Sequence, residues 1–236
     1  MRSLALLSLC MLLGFTTYSQ RLFSKDKIIN TVDNIDQKRW TWGYYLGFNQ
    51  FDFNFDYEAE NALGQQQQEI LVNNNLSFNV GLLGNLKINK YVDLRFEPGV
   101  IFANREVIFP NDEANAREVK STYVHLPLLL KFSTKRINNF KPFIIGGLST
   151  AINLSSNEDN PDDNQAGQFR MTTNNYFYEI GFGVDLYLHF FKLTPSIRGI
   201  FALNDELVRD NDPNSLFTSG IQKMGTRGIF LNFTFQ

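Results

Sequence analysis

The chain has 236 residues, a formal net charge of -2 at pH 7 and 43% hydrophobic residues, with phenylalanine occurring 23 times. This length allows one large domain or two small ones. The slightly acidic balance gives no electrostatic reason to expect a nucleic-acid partner, so we predict none. The many phenylalanines favour strands, because aromatic side chains fit a pleated, half-buried surface.

The N-terminus has the composition of a secretory signal peptide. Arg2 precedes an apolar run, Leu4 to Phe15, which at about 12 residues is too short to cross a bilayer as a helix. Small residues around Ser19 predict cleavage after that position, so residues 1–19 are predicted to be removed on export. No later stretch reaches the ~18 apolar residues of a membrane-spanning helix.

The lone cysteine, Cys10, raises the alternative of a lipoprotein signal. Leu9 before it is not a small residue, and the cysteine lies inside the apolar run, so we favour ordinary cleavage. The exported chain would then contain no cysteine and must be stable without disulfides. A soluble periplasmic protein and an outer-membrane barrel both remain open at this point.

From Trp40 onward, apolar residues alternate with polar or small ones, and this period of two predicts strands. Residues 20–39 show no period and are predicted to be a periplasmic lead-in, so the barrel domain would comprise residues 40–236. Several segments exceed the ~5–6 residues of a soluble strand and suit the ~9–11 that a tilted strand needs to cross a bilayer. The predicted strands are Trp40–Asn49, Leu76–Ile88, Tyr91–Arg105, Val119–Phe132, Lys141–Leu154, Asn174–Leu188, Phe191–Asn204 and about Met224–Gln236.

The connections between these strands alternate strictly between long and short. The long ones are residues 50–75, 106–118, 155–173 and 205–223, and the short ones are 89–90, 133–140 and 189–190. Bacterial outer-membrane barrels have short periplasmic turns and longer extracellular loops. The sequence therefore predicts an all-β fold, an eight-stranded antiparallel up-and-down transmembrane β-barrel in the outer membrane. A soluble barrel or sandwich with an aromatic core is the alternative, but it has no reason to sort its loops by length.

Large aromatic residues collect toward the short-turn side, as expected at a membrane interface. The predicted belt consists of Trp40, Trp42, Tyr91, Phe132, Phe140, Tyr187, Phe190, Phe191 and Phe235.

The last segment, RGIFLNFTFQ, has an apolar face that consists of Ile229, Leu231, Phe233 and Phe235. We predict that this face contacts lipid and that the strand closes the barrel against Trp40–Asn49, which leaves no exposed edge. We also predict that this terminal strand is the signal that the barrel-insertion machinery recognises.

An eight-stranded barrel has an interior that side chains can fill. The inward positions supply charges of both signs, which must be paired if they are buried. We therefore predict a structural polar network in the lumen, with an ion path as the alternative. Its predicted members are Arg95, Glu97, Arg105, His125, Lys131, Glu179, Asp185, Lys192 and Arg198.

The sequence contains only two histidines, His125 and His189, that could serve as the general base of an enzyme. Outer-membrane lipases and proteases use histidine with acidic or serine partners, but no spacing in the sequence brings both to His125. We predict no catalytic residue, no cofactor and no metal site. The acidic loop Ser155–Asn164 could offer oxygen ligands to calcium, yet its spacing differs from an EF-hand and a solvated loop is favoured.

Several segments resemble the PorT family, outer-membrane components of the type IX secretion system. The resemblance covers nearly the whole chain after the predicted signal peptide. LRFEPG and LPLLLKF are widespread among small barrels of Bacteroidota. The first strand and the loop at residues 153–163 are more particular to the family. The matching segments are residues 44–53, 94–99, 123–132, 138–143, 153–163 and 191–199.

This resemblance implies a Gram-negative outer membrane and an accessory role in exporting proteins with C-terminal secretion domains, with gliding motility in gliding members. The expected partners are outer-membrane lipid and lipopolysaccharide, the barrel-insertion machinery and other type IX secretion proteins. The alternative is a general structural or adhesive small barrel of the OmpX or OmpA kind. An outer-membrane lipase or protease is a further alternative.

Overall fold

A computed structural model describes residues 38–57, 70–108, 117–162, 170–211, 218 and 221–236. The predicted signal peptide, Cys10 and nearly all of the predicted lead-in lie outside these residues. No helix in the described parts of the chain is long and apolar enough to cross a membrane. The described strands are β1 (Trp40–Tyr57), β2 (Leu71–Asn74), β3 (Ser77–Lys87), β4 (Val92–Phe96), β5 (Gly99–Ile108), β6 (Arg117–Ser133), β7 (Phe140–Asn153), β8 (Asn174–Tyr187), β9 (Lys192–Ala202) and β10 (Ile221–Phe235).

These strands form one antiparallel ring with up-and-down connections. β1 pairs with β10 on one side and with β3 on the other, so the sheet closes on itself. β2 continues into β3, and β4 into β5, as single strands of the wall with local breaks. The ring therefore passes through eight strands, as predicted from the sequence. Closure pairs the edge of β1 with β3 over residues 40–49, so the closing strand β10 lies between β1 and β9 and presents no free edge there.

Each of the two breaks has a local cause. β4 and β5 are separated at Pro98, which has no backbone N–H to donate to the ladder. Between β2 and β3, the partners change from Asn74 with Arg105 to Asn79 with Ile101, so five steps on one strand oppose four on the other. This extra residue is a β-bulge.

The predicted boundaries of several strands were too short at the extracellular end. β1 continues to Tyr57, and β2 occupies 71–74, so the predicted loop 50–75 is wrong over both stretches. β5 likewise continues to Ile108. Along β1 the apolar residues change from the outer face to the inner face. Phe51 and Phe53 face the lumen and are buried, while Asn54 on the outer face is exposed. Above the apolar band, the outer face meets water, so polar residues lie outside.

The outer wall carries the apolar side chains that the alternation predicted. Trp40, Trp42 and Phe190 are exposed at the short-turn end, in agreement with an interfacial belt. Tyr187 was wrongly assigned to that belt, because it has the same parity as Asp185 and lies buried in the lumen.

Small residues in the wall make room for the larger lumen side chains. A β-carbon on Gly99 would lie 2.1 Å from the hydroxyl of Tyr45, and one on Gly81 would lie 2.6 Å from its ring. The Tyr45 side chain can therefore lie over the neighbouring strands of the wall and donate a hydrogen bond to the carbonyl oxygen of Glu97 at 3.3 Å.

Candidate functional site: the filled lumen

The periplasmic end of the lumen contains a buried ion pair. The ammonium of Lys131 on β6 lies 2.6 and 2.8 Å from the two carboxylate oxygens of Asp185 on β8. The hydroxyl of Thr194 donates to the same carboxylate at 2.8 Å, and the Lys131 ammonium lies 4.1 Å from the ring centroid of Phe143. Both charges are thus compensated in a place where an isolated charge would be costly.

A larger charged cluster lies farther into the barrel and is centred on Arg198 of β9. Its guanidinium contacts Glu97 at 2.8 Å and Glu179 at 2.9 Å. Arg95 contacts the other oxygen of Glu97 at 3.3 Å, and His125 contacts the other oxygen of Glu179 at 2.8 Å. All five side chains are buried, so two carboxylates are held by two guanidinium groups and an imidazole.

The contact between His125 and Glu179 was not expected from the sequence. The two residues are on β6 and β8, which both pair with β7. Their proximity depends on the registers of two ladders, and no sequence spacing reveals it. The acid neighbour that the sequence did not supply is therefore present, but the imidazole is only 1% exposed and stacks against Phe230 with ring centroids 6.0 Å apart.

An asparagine contact crosses the wall strand β1 from the inside. The side-chain amide of Asn79 donates to the side-chain oxygen of Asn232 at 2.8 Å. A β-carbon on Gly47 would lie 2.0 Å from that oxygen, so glycine is needed for the two amides to meet. Sequence reasoning missed this contact.

An apolar aromatic layer fills the lumen on the extracellular side of the charged cluster. Phe51 packs against Phe230 edge-on, with ring centroids 5.5 Å apart, and against Tyr123 at 6.0 Å. Phe230 also lies beneath the guanidinium of Arg198, at 5.6 Å from its centroid, and so joins the two layers. The other buried members of the layer are Ile101, Ala103, Ala151, Phe177 and Ile200.

Arg105 lies in this apolar half and is separated from the other predicted network members. Its guanidinium donates to the hydroxyls of Thr226 at 3.1 Å and Tyr123 at 2.9 Å. The guanidinium carbon also lies 3.8 Å from the ring centroid of Phe53. Arg105 is therefore held mainly by hydroxyls and a ring face, in contrast to Arg198.

Glu206 belongs to the connection that follows β9, and the sequence placed it at the start of a long loop. The carboxyl is buried and accepts a hydrogen bond from the hydroxyl of Thr226. Its backbone N–H donates to the carbonyl of Met224 at 2.8 Å. Burial raises the pKa of Glu206 to about 7, against the lowering effects of Thr226 and Arg105.

The extracellular mouth is closed by an apolar cap that includes residues from two long connections. Met171 and Leu207 form a β-bridge with each other and are both buried. Strand residues complete the cap: Phe53, Val107, Val119, Ile221 and Met224. The lumen is thus occupied from the Lys131 level to this cap.

The fold and its wall agree with a known family of membrane barrels. A family model described as "Outer membrane protein beta-barrel domain" matches residues 19–208. The chain belongs to this family. The protein is accordingly an outer-membrane β-barrel, which confirms the predicted localisation in the outer membrane. No curated protein matches the chain.

The fold of the chain is similar to solved structures of small outer-membrane barrels. OprG from Pseudomonas aeruginosa has 12% identity and a TM-score of 0.43, and covers 82% of this chain and 94% of its own. AlkL in lipid bilayers has 11% identity and a TM-score of 0.46, with 82% and 90% covered. Neisserial surface protein A has 9% identity and a TM-score of 0.45, with 84% and 98% covered.

In this outer-membrane barrel, the closing strand lies as its alternation suggested. Ile229 is 62% exposed on the outer wall, and Leu231, Phe233 and Phe235 share that parity. Phe235 stacks on Tyr44 of β1, with ring centroids 5.2 Å apart. Recognition of this strand by the insertion machinery remains a prediction.

The acidic loop of the barrel uses its polar groups within the loop. Glu158 accepts a hydrogen bond from the backbone N–H of Thr173 at 2.6 Å, and Arg170 donates to the carbonyl of Asn160 at 3.1 Å. Among the described residues, no group of three or more His, Cys, Asp or Glu side chains could hold a metal ion. Residues 163–169 lie outside the described part of the loop.

Proposed function

We propose that this barrel conducts no solutes and acts through its surfaces, as a structural or docking barrel of the outer membrane. The observation that carries the proposal is the filling of the lumen by large side chains. The largest of those that are less than 2% exposed include Arg95, Arg105, Tyr45, Tyr123, Tyr187, Lys131 and Phe230. A conducting path would need continuous space, and eight-stranded barrels have little to spare.

Conductance of the purified protein in planar bilayers tests this proposal. We expect no stepwise current above the bare membrane, while a wide porin inserted under the same conditions gives clear steps. The variant Phe230→Gly, which removes a ring between the charged and apolar layers, is the matched control for residual leakage. Stable steps from the wild-type barrel that change with Phe230→Gly would overturn the proposal, because the current would then pass through the lumen.

We also propose that the barrel is not an enzyme. His125 and Glu179 lie at a distance suited to a catalytic pair, but both are buried between the charged cluster and the aromatic layer. No substrate can reach them without displacement of the packing. We therefore expect His125→Ala to leave cellular function intact and to destabilise the barrel mildly. A complete loss of function with a folded, heat-modifiable barrel would contradict this.

A role in type IX secretion is a second candidate, and the resemblance to the PorT family favours it. The resembling segments include the first strand at residues 44–53 and the loop at 153–163. A filled lumen is compatible with an accessory or assembly role beside a larger translocon. In gliding members, surface motility would depend on the same route.

Deletion of the gene, followed by mass spectrometry of medium, surface and periplasm, tests the secretion role. Proteins with C-terminal secretion domains should accumulate in the periplasm while other outer-membrane proteins stay at normal levels. Normal export would exclude this role and leave the general structural or adhesive barrel. Complementation with the intact chain is the control.

A further inference from the structure

The two ends of the barrel differ sharply in charge. At the periplasmic end, the described residues include only two side-chain carboxylates, Asp93 and Asp185, and both are buried. Basic residues are much more numerous there: Lys38, Arg39, Lys87, Lys90, Lys131, Lys135, Arg136, Lys141 and Lys192. At the extracellular end, described carboxylates outnumber basic residues. The positive excess is therefore local, since the whole chain has a net charge of -2.

Strand parity directs several of these cations toward the barrel axis. Lys87 has the parity of the buried Asn85, and Lys141 has the parity of the buried Phe143. The backbone N–H of Lys87 donates to the carbonyl of Arg39 at 2.9 Å, so Arg39 continues the β1–β3 register on the same face. These side chains consequently line the mouth from within.

Two further cations complete the mouth. Arg136, in the turn between β6 and β7, lies 3.9 Å from the ring centroid of Tyr187 and donates to the carbonyl of Asn138 at 2.7 Å. Lys192, the first residue of β9, is buried and interacts electrostatically with Asp185. We define the periplasmic socket as Arg39, Lys87, Arg136, Lys141 and Lys192, above a floor formed by Lys131 and Asp185.

The socket has a marked formal excess of positive charge. Together with Lys131, its cations number six, against the two carboxylates Asp93 and Asp185. Residues 20–37 carry three basic and three acidic residues and so add no net charge to the chain. A cluster of cations favours an anionic partner and speeds its association.

The position of the aromatic belt separates this socket from lipid. Trp42 and Phe132 are exposed on the outer face of the same end, where membrane interfaces place aromatic rings. Phospholipid headgroups surround the barrel outside this belt, whereas the socket cations point to the axis. We propose that the periplasmic socket binds an acidic segment of a water-soluble periplasmic protein. This inference rests on the proposed role as a docking barrel and specifies the surface that docks.

Binding of a fluorescein-labelled polyglutamate peptide to the barrel in phosphatidylcholine nanodiscs tests the proposal. Fluorescence anisotropy should show saturable binding that weakens as salt is added. The double variant Lys87→Glu/Lys141→Glu should lower the affinity about tenfold or more, because it reverses two charges of the socket. The matched control Lys120→Glu/Lys223→Glu makes the same charge change at the extracellular end and should leave the affinity unchanged.

Two results would overturn the socket. One is no saturable binding, and the other is an equal loss in both double variants, which would indicate a response to net charge alone. If the glutamate pair fails to fold, Lys87→Gln/Lys141→Gln replaces it and should still lower the affinity, and unchanged binding would again overturn the socket. The conductance measurement is independent of the peptide, so a failed socket can be told apart from a failed docking role.

Anionic phospholipid is the competing ligand, and lipid analysis distinguishes it. Barrels in nanodiscs of mixed phosphatidylcholine and phosphatidylglycerol should carry equal amounts of phosphatidylglycerol with and without Lys87→Glu/Lys141→Glu. Loss of phosphatidylglycerol from this variant, with peptide binding unchanged, would overturn the protein segment in favour of a lipid.

Discussion

The periplasmic and extracellular halves of the lumen are filled in opposite ways. In the periplasmic half, Arg198 joins Glu97 and Glu179, and Lys131 joins Asp185. In the extracellular half, Phe51 and its neighbours pack mainly through apolar contacts, and the charged or titratable groups against the layer are Arg105, Arg198 and His125. Buried ion pairs return little net stability after desolvation, whereas apolar burial is the main stabilising term. The difference indicates that the periplasmic half depends on complete pairing and the extracellular half on packing.

The outer wall explains why the two halves differ. On β1, Phe48 is exposed on the outside where the wall meets lipid, but three residues later Phe51 faces inward. Farther along the same strand, Asn54 lies outside. The extracellular half is therefore built like a soluble barrel with an apolar core, and the membrane half has that polarity reversed.

Arg198→Met would break the comparison most strongly. It would leave Glu97 and Glu179 without their shared cation in a buried site, and breaking such a pair costs about 3–5 kcal/mol. Urea unfolding of the refolded barrel, followed by heat-modifiability on gels, measures the loss. The triple variant that adds Glu97→Gln and Glu179→Gln should recover part of it. No recovery would mean that lost packing, and not stranded charge, is the cause.

Phe230→Ala tests the apolar half and should have the next largest effect. It would remove a fully buried ring that contacts Phe51 and His125, and buried Phe→Ala changes cost about 3 kcal/mol or more. The same urea titration measures the loss of unfolding free energy, and Phe230→Leu is expected to lose about half as much as Phe230→Ala. Equal losses in the two variants would contradict a packing role, because leucine fills much of the cavity.

The sequence predicted the wall better than the interior. Alternation was enough to place Ile229 outside and Glu179 inside, since parity alone decides the face of a strand. The contact of His125 with Glu179 could not be predicted, because it depends on how β7 is paired on both sides. Parity also places Tyr187 inside, so at this position parity is a better guide than aromatic character.

The extracellular cap was missed for a different reason. Leu207 comes from a segment whose pattern shows no period, and it meets Met171 only after the ring has closed. The inversion along β1 also hid the strand's full length, because Asp52 and Asn54 look like loop residues when the outer face is expected to be apolar. Polar residues on the outside are informative only once the height of the membrane is known.

The buried Glu206 should make the cap sensitive to pH. With the cap closed over it, Glu206 has a pKa of about 7, which exceeds the ordinary pKa of an exposed carboxyl. Protonation of Glu206 therefore favours the closed cap. The closed cap is therefore most stable at a pH below the ordinary pKa of an exposed carboxyl. Its stability falls as the pH rises toward 7 and is constant at higher pH. The charged or titratable groups facing Glu206 include Arg105, Tyr123 and Asp205.

Hydrogen exchange at the Glu206 backbone N–H, which donates to Met224, measures this sensitivity. After correction for intrinsic exchange, protection should fall by at least about tenfold from pH 5 to pH 8, since one pKa unit corresponds to that factor. Glu206→Gln keeps a hydrogen-bonding side chain that does not titrate, and its protection should be constant. An equal fall in this variant would assign the effect to another group.

Arg227→Ala should have the smallest effect and sharpens the contrast with Arg198. Arg227 on β10 contacts Asp52 on β1 at 2.6 Å, but the guanidinium side chain is 53% exposed on the outer wall. Exposed pairs contribute about 0–1 kcal/mol and are screened by salt. The urea midpoint should therefore shift little, and high salt should remove the remaining difference from wild type. A loss as large as that of Arg198→Met would mean that compensation of charge matters equally on both faces of the wall, and the proposed dependence on burial would fail.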